Sequence, residues 1–116
     1  MGYIGRQDAA PILMQGLHRL EYRGYDSAGL AVVRGSALRV FKSQGKVREL
    51  EQLLPEGLKG SPGIAHTRWA THGEPSERNA HPHTDGANRI AIVHNGIIEN
   101  AAALRAQLAA KGVQFR

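Results

Sequence analysis

The residues richest in chemistry lie at positions 66–73, which read His-Thr-Arg-Trp-Ala-Thr-His-Gly. Within this segment a guanidinium, Arg68, stands next to an indole, Trp69, and small hydroxyls flank them. Arginine binds carboxylates through two parallel hydrogen bonds, and a flat aromatic side chain beside it can wall a small pocket. This combination predicts a cleft for a small ligand that carries a carboxylate. An ordinary surface cluster at the end of a strand is the alternative.

A second polar group, Asn95 and Gly96, directly follows a mostly apolar stretch at 90–94. A side-chain amide next to an uncovered glycine N–H can direct two donors at one point. That arrangement suits the oxyanion that forms during acyl transfer. A plain Asn-Gly turn would contain the same two residues, so the dipeptide alone leaves both interpretations open.

Five histidines accompany these groups, at positions 66, 72, 81, 83 and 94. Together with a carboxylate such as Asp85 they could form a zinc site. Against this, Pro82 constrains the backbone between two of the histidines, and no pair has the i, i+4 spacing of a helical metal site. We therefore expect hydrogen bonds that order a loop, and no metal.

Composition limits the classes of protein to consider. The chain has 116 residues, enough for one domain at most, and its 41% hydrophobic and 22% charged residues are typical of a soluble globular protein. No apolar run approaches the roughly 18 to 20 residues that span a bilayer, and no signal peptide is recognisable, so a cytoplasmic protein without membrane contact is expected. The absence of cysteine excludes disulfides and thiolate chemistry within these residues.

A net charge of +5 and an isoelectric point near 10.1 raise the question of nucleic acid binding. The fifteen basic residues are scattered, however, and aromatic residues at 5% are too few for a stacking platform. We interpret the charge as solvated surface and expect no nucleic acid partner.

The spacing of apolar residues in the first half predicts the elements that would carry the segment 66–73. Leu13 and Leu17 lie at helical spacing after Asp8, a residue suited to an N-cap, so a helix is expected over 9–20. The other elements expected here are a strand stub at Tyr3 and Ile4, a β-hairpin of 30–33 and 38–41, a short helix over 47–54, and a strand that enters the segment through 63–65.

A glycine-rich polar segment at 21–29 separates the first helix from the hairpin. Its two glycines and its dense set of polar side chains exceed what a surface turn needs. We expect a loop packed near a site and held by hydrogen bonds from the side chains of Asp26 and Ser27 to the backbone.

The last third predicts two further elements. Ile90, Ile92 and Val93 form a pattern typical of a buried strand. A final helix should begin after Asn100, turn Leu104 and Leu108 inward, and end before Gly112, and the residues 113–116 should start another strand.

Four stretches together resemble the glutaminase domain of the isomerising glutamine–fructose-6-phosphate aminotransferase family. They are Glu-Tyr-Arg-Gly-Tyr-Asp-Ser-Ala-Gly (21–29), His-Thr-Arg-Trp-Ala-Thr-His-Gly (66–73), Asn-Ala-His-Pro-His (79–83) and His-Asn-Gly-Ile-Ile-Glu-Asn (94–100). The resemblance implies an α+β fold, that of the N-terminal-nucleophile hydrolases, in which two stacked antiparallel sheets lie between helix layers. It further implies that residues 1–116 are part of a glutaminase domain, without the isomerase domain.

The resemblance also assigns roles to residues of this chain. Arg68 would hold the α-carboxylate of glutamine, Asn95 and Gly96 would be the oxyanion donors, and Arg23 would lie near the nucleophile. The remaining residues that would line the glutamine pocket are Trp69, Thr71, His72 and His81. No cofactor is implied. The parent enzyme would be a homo-oligomer that makes glucosamine 6-phosphate from glutamine and fructose 6-phosphate.

One departure from the family bears on activity. In the family a cysteine opens the first strand as the first residue after methionine removal, and its own amine can serve as the base. This chain reads Met1-Gly2-Tyr3, as if that strand began about three residues later, and it contains no cysteine. We therefore expect a partial domain that does not hydrolyse glutamine by itself. A non-catalytic module that binds glutamine or regulates another protein is the alternative.

Overall fold

The computed structural model describes residues 1–70 and 73–115. These residues form helices and antiparallel sheets, and no helix among them is long and apolar enough to cross a membrane. In chain order the elements are β1 (Gly2–Tyr3), α1 (Ala9–Leu20), a 3-10 turn (Glu21–Arg23), β2 (Ser27–Arg34), β3 (Ala37–Gln44), α2 (Val47–Leu53), β4 (Gly63–Arg68), β5 (His83–Thr84), β6 (Ala91–Ile92) and α3 (Ala101–Ala110).

The larger sheet has four antiparallel strands in the order β1-β4-β2-β3. The register pairs Ser27 with Arg68, and Val32 with Gly63. Since successive side chains alternate between the two faces of a strand, Ala28, Leu30 and Val32 share one face of β2. That face joins the hydrophobic core with α1 and α2.

The core lies between this face and the two helices. From α1, the side chains of Leu13 and Leu17 are fully buried, and α2 contributes Val47 and Leu50. The predicted helix over 9–20 and the predicted hairpin are confirmed, and the second helix ends one residue earlier than expected. Each of these elements has an apolar period that matches its geometry, so local pattern and packing agree.

Asp8 occupies the N-cap position of α1, as predicted, but its carboxylate does not bond to the helix. Instead Oδ1 accepts a hydrogen bond of 3.1 Å from the Gly60 N–H, and Oδ2 lies 3.3 Å from the Lys59 ammonium. The side chain therefore fastens the loop before β4 to the start of α1.

The first strand lies one residue earlier than the sequence suggested. β1 contains Gly2 and Tyr3, whereas Ile4 lies outside it with 84% of its surface exposed. The pairing with β4 is continued by the amino terminus, where the Met1 ammonium donates a 2.8 Å hydrogen bond to the Ala65 carbonyl.

The last third departs most from expectation. The prediction of a buried strand was wrong, because β6 has two residues and leaves Ile90 and Ile92 62% and 56% exposed. α3 begins after Asn100 as predicted, yet Leu104 and Leu108 are each 40% exposed. The predicted inward face of α3 is thus also wrong, since no residue of α3 is buried.

The end of α3 was predicted correctly. Gly112 has a φ of +87°, and its N–H donates to the Ala109 carbonyl while the Val113 N–H donates to the Leu108 carbonyl. This is a Schellman stop, which favours glycine. The strand expected at 113–116 is wrong for 113–115, which are irregular, and Arg116 lies outside the described residues.

The surface area agrees with this uneven packing. A folded monomer of 12.6 kDa should expose about 6,200 Å². The accessible surface of this chain is 8027 Å². Most of the core therefore belongs to the first two thirds of the chain. The last third contributes apolar side chains that remain exposed to solvent.

This difference predicts unequal effects of one substitution at two helical leucines. Leu17→Ala removes a fully buried side chain and should lower the free energy of unfolding by about 2 to 5 kcal/mol. Leu104→Ala is the matched control, and because its side chain is already 40% exposed, the loss should stay below about 1 kcal/mol. Urea unfolding followed by circular dichroism measures both, and equal losses would contradict the assignment of the core.

Candidate functional site

The site is built on the second face of the four-stranded sheet, at the end of β4. Arg68 is the last residue of β4 and lies opposite Ser27, the first residue of β2. This register brings the segments 21–29 and 66–73 side by side. Only 9% of Arg68 is exposed, so its guanidinium is a buried cation at the strand end.

Asp26 connects these two segments through main chain and side chain. Its N–H donates a 2.8 Å hydrogen bond to the Arg68 carbonyl, and its carboxylate accepts a hydrogen bond from the Ala70 N–H. The second carboxylate oxygen lies 3.9 Å from Nη1 of Arg68. The predicted side-chain-to-backbone bond is therefore confirmed for Asp26. Ser27 is buried, and its hydroxyl makes no hydrogen bond within the described part of the chain, so that half of the prediction was wrong.

Trp69 stands at the rim of the site with 63% of its surface exposed. Its indole lies against Gly24, where an added Cβ would come within 2.9 Å of the ring. Gly24 also has a φ of +77°, a conformation that side chains disfavour. Arg23, which precedes this glycine, is exposed.

Three imidazoles lie next to one another beyond Arg68. The ring of His66, on β4, lies 4.4 Å from that of His81, which in turn lies 4.4 Å from that of His83. Burial lowers the pKa of His81 to about 4, and the neighbouring His66, His83, Arg68 and Lys42 add to the effect. Burial likewise lowers the pKa of His66 and of His83. The cluster is therefore uncharged at neutral pH.

The segment that carries His81 crosses directly over β2. A Cβ added to Gly29 would overlap the carbonyl oxygen of His81, so only glycine permits this approach. The need for glycine at this position is visible only in the structure, because Gly29 and His81 are far apart in the sequence.

The predicted oxyanion donors follow the same cluster. The His94 N–H donates a 3.4 Å hydrogen bond to Nδ1 of His81, and Asn95 and Gly96 come next in the chain. Asn95 and Gly96 are both exposed. The structure thus connects their segment to the imidazoles, while their role as donors stays a prediction.

Two residues of the predicted pocket, Thr71 and His72, lie outside the described residues. Beyond them, the sequence analysis missed Asn79 as a neighbour of Arg68. A Cβ on Gly73 would lie 2.9 Å from Nδ2 of Asn79 and 3.8 Å from Nη2 of Arg68. Asn79 could have been identified from the sequence, because it belongs to the stretch 79–83 that contributes to the family resemblance.

The histidines that the sequence offered for a zinc site do not form one with the other described residues. Within 1–70 and 73–115, no group of three or more histidine, aspartate or glutamate side chains could hold a metal ion. The histidines at 66, 81 and 83 instead contact one another through their rings.

The lowered pKa of His81 predicts a pH dependence of stability. Between the folded pKa of about 4 and the ordinary histidine pKa of 6.5, the unfolded chain binds a proton that the folded chain does not. The free energy of unfolding should therefore fall as the pH falls through this window. His81→Gln should make that fall shallower, by at most about 1.4 kcal/mol per pH unit for one proton.

His18 provides a control of opposite sign. Hydrogen bonding to Glu51, 3.0 Å away, raises the pKa of His18, so its contribution to stability is present in acid and lost as the pH rises. His18→Gln should therefore remove a gain in stability that occurs as the pH falls through the range just above 6.5, and should leave the slope between pH 4 and 6.5 nearly unchanged. Urea unfolding across both pH ranges measures both effects, and an unchanged slope between pH 4 and 6.5 in His81→Gln would contradict the assignment.

Comparison with known proteins gives close relatives over the whole chain. A glutamine–fructose-6-phosphate aminotransferase (isomerising) from Symbiobacterium thermophilum is 59% identical over 119 residues, which cover 100% of this chain and 19% of that protein. The enzymes of the same name from Chlorobaculum tepidum and Methanosarcina mazei are 56% and 53% identical. The chain thus spans about a fifth of the length of these relatives. No family model matches it.

Solved structures agree with the fold expected from the resemblance. A glutamine phosphoribosylpyrophosphate amidotransferase from B. subtilis, complexed with ADP and GMP, superposes with a TM-score of 0.81 at 33% identity. The match covers 99% of this chain and 25% of that protein. A second structure, described as the allosteric regulatory enzyme of purine biosynthesis, gives the same TM-score and identity. The α+β fold of an N-terminal-nucleophile amidotransferase is confirmed.

Proposed function

We propose that this chain is the N-terminal part of a glutamine amidotransferase domain of the glutamine–fructose-6-phosphate aminotransferase family, and that it binds L-glutamine at the end of β4. The observation that carries the proposal is the buried guanidinium of Arg68 at a strand end. A fixed cation in a site of low dielectric suits a ligand carboxylate, because the attraction is stronger there than in water.

The surrounding residues are proposed to complete the glutamine pocket. Trp69 would form one wall, and its position against Gly24 favours a fixed indole. His81 would line the floor as a neutral imidazole, which can accept or donate a hydrogen bond without competing with Arg68 for the carboxylate. Thr71 and His72 are assigned to the pocket by the resemblance alone.

Asn95 and Gly96 are proposed to stabilise the oxyanion that forms when the side-chain amide of glutamine is attacked. Their connection to His81 through His94 supports a position near the pocket. Arg23 is proposed to lie near the nucleophile, and its charge contributes to the lowered pKa of His66.

The register of β1 supports the location of that nucleophile. Gly2 pairs with Ile64 and Tyr3 with Gly63, so each residue added ahead of Met1 would lie opposite the next residue of β4. The third added residue, where the resemblance places the cysteine, would lie opposite Arg68. A thiol there would stand at the same strand end as the proposed carboxylate site.

For the parent enzyme we propose that glutamine is hydrolysed through a thioester and that the ammonia is passed to fructose 6-phosphate on an isomerase domain. Cytoplasmic location and homo-oligomeric assembly belong to the same proposal. A module that binds glutamine without catalysis is the second candidate, because the pocket residues are present in a chain without cysteine.

The carboxylate site is tested by isothermal titration of L-glutamine into the chain. Arg68→Lys keeps the charge but loses the planar fork, and should weaken binding at least about tenfold. Arg48→Lys, on the exposed side of α2, is the matched control and should leave the affinity unchanged. Equal affinity in the Arg68→Lys variant and the original chain would refute the proposal.

Catalysis is tested by a glutaminase assay on the 116-residue polypeptide. Because a covalent route needs a thiol and none is present, release of ammonia from glutamine should not exceed a buffer blank. The full-length relative from Symbiobacterium thermophilum serves as the positive control. Turnover by the polypeptide itself would show that a group other than cysteine attacks the amide.

A further inference from the structure

We propose that Asp26 is a positioning residue that orients Arg68 and the chain after it toward the carboxylate of the ligand. The proposal rests on glutamine binding as proposed above, and it assigns a task to a residue outside the predicted pocket. Its basis is that one aspartate contacts both residues that flank Trp69, namely Arg68 and Ala70.

The main-chain contacts determine how the chain leaves β4. The Asp26 N–H donates to the Arg68 carbonyl at 2.8 Å, and the carboxylate accepts the Ala70 N–H. Trp69 lies between these two bonds. The main chain at Trp69, whose indole packs against Gly24, is therefore held on both sides by the same aspartate.

The side chain of Asp26 also faces the guanidinium of Arg68, at a distance longer than a hydrogen bond. Oδ1 of Asp26 lies 3.9 Å from Nη1 of Arg68, farther than the roughly 2.7 to 2.9 Å of a bidentate arginine–carboxylate pair. Both side chains are mostly buried, with 20% and 10% exposed, so the attraction is only weakly screened. Asp26 thus attracts Arg68 without forming a close bidentate pair with it.

Asp26 is itself held firmly enough for this task. Its carbonyl accepts a 2.8 Å hydrogen bond from the Gly45 N–H, at the end of β3. The residue is therefore attached to the neighbouring strand end on one side and to the chain after β4 on the other. Reorienting it would break bonds in both directions.

The test compares two ligands that differ only at the α-carboxylate: L-glutamine and its α-amide. Asp26→Asn keeps the size of the side chain and an oxygen for the Ala70 N–H, but removes the charge that faces Arg68. Glutamine should bind about tenfold more weakly to this variant, whereas the α-amide should change by less than about twofold. Equal losses for both ligands, or no loss for glutamine, would overturn the proposal.

Asp8→Asn is the matched control. Asp8 also accepts a backbone N–H and also faces a cation, Lys59, but it lies at the opposite end of β4 beside Gly60. The same change of charge there should leave binding of both ligands unaltered. A loss equal to that of Asp26→Asn would show that net charge, and not position, governs affinity.

A ligand-free measurement separates this proposal from glutamine binding itself. In Asp26→Ala the Ala70 amide loses its acceptor, so its hydrogen exchange should become at least about tenfold faster by NMR, with no such change in Asp8→Ala. Unchanged exchange at Ala70 would overturn the positioning role whether or not glutamine binds. The original chain could fail to bind glutamine while hydrogen exchange at Ala70 still becomes faster in Asp26→Ala. That result would refute the glutamine site but confirm the hydrogen bond between Asp26 and Ala70.

Discussion

Six residue pairs join β2 to β4 in antiparallel register, from Ser27 with Arg68 to Val32 with Gly63, and the site depends on this pairing. Residues directly opposite each other in such a pair point to the same face of the sheet. Arg68 and His66 consequently share the face of Gly29, under the segment of His81, while the alternate residues face the helices. A slip by one residue would turn the guanidinium into the hydrophobic core, so the core keeps the register in place.

The elements that pack around the core were predictable from the sequence. In α1 and in the hairpin, the apolar residues recur with the period of a helix and of a strand, respectively. Each element therefore has an apolar face, and that face packs against the apolar face of a neighbouring element. The position of Arg68 at the end of a strand was also predictable, because a polar segment follows an apolar stretch there. The contacts around it were not predictable, since those of Asp26 with Ala70 and of Gly29 with His81 join residues more than 40 positions apart.

The last third shows the limit of such patterns. Periodicity indicates which side of an element is apolar, but it does not indicate whether another element covers that side. Ile92 and Leu104 have the spacing of buried residues, and in this chain they lie on the surface. The stop at Gly112 was predictable because it depends on local backbone geometry alone.

The charge on the amino-terminal nitrogen affects a nearby imidazole. The Met1 ammonium bonds to the Ala65 carbonyl, one residue before His66, and its positive charge is one cause of the lowered pKa of that imidazole. In the 116-residue polypeptide, formylation or acetylation would turn this nitrogen into a neutral amide. His66 would then accept a proton more readily, so the charge on this nitrogen adjusts the pKa of one imidazole in the cluster of His66, His81 and His83.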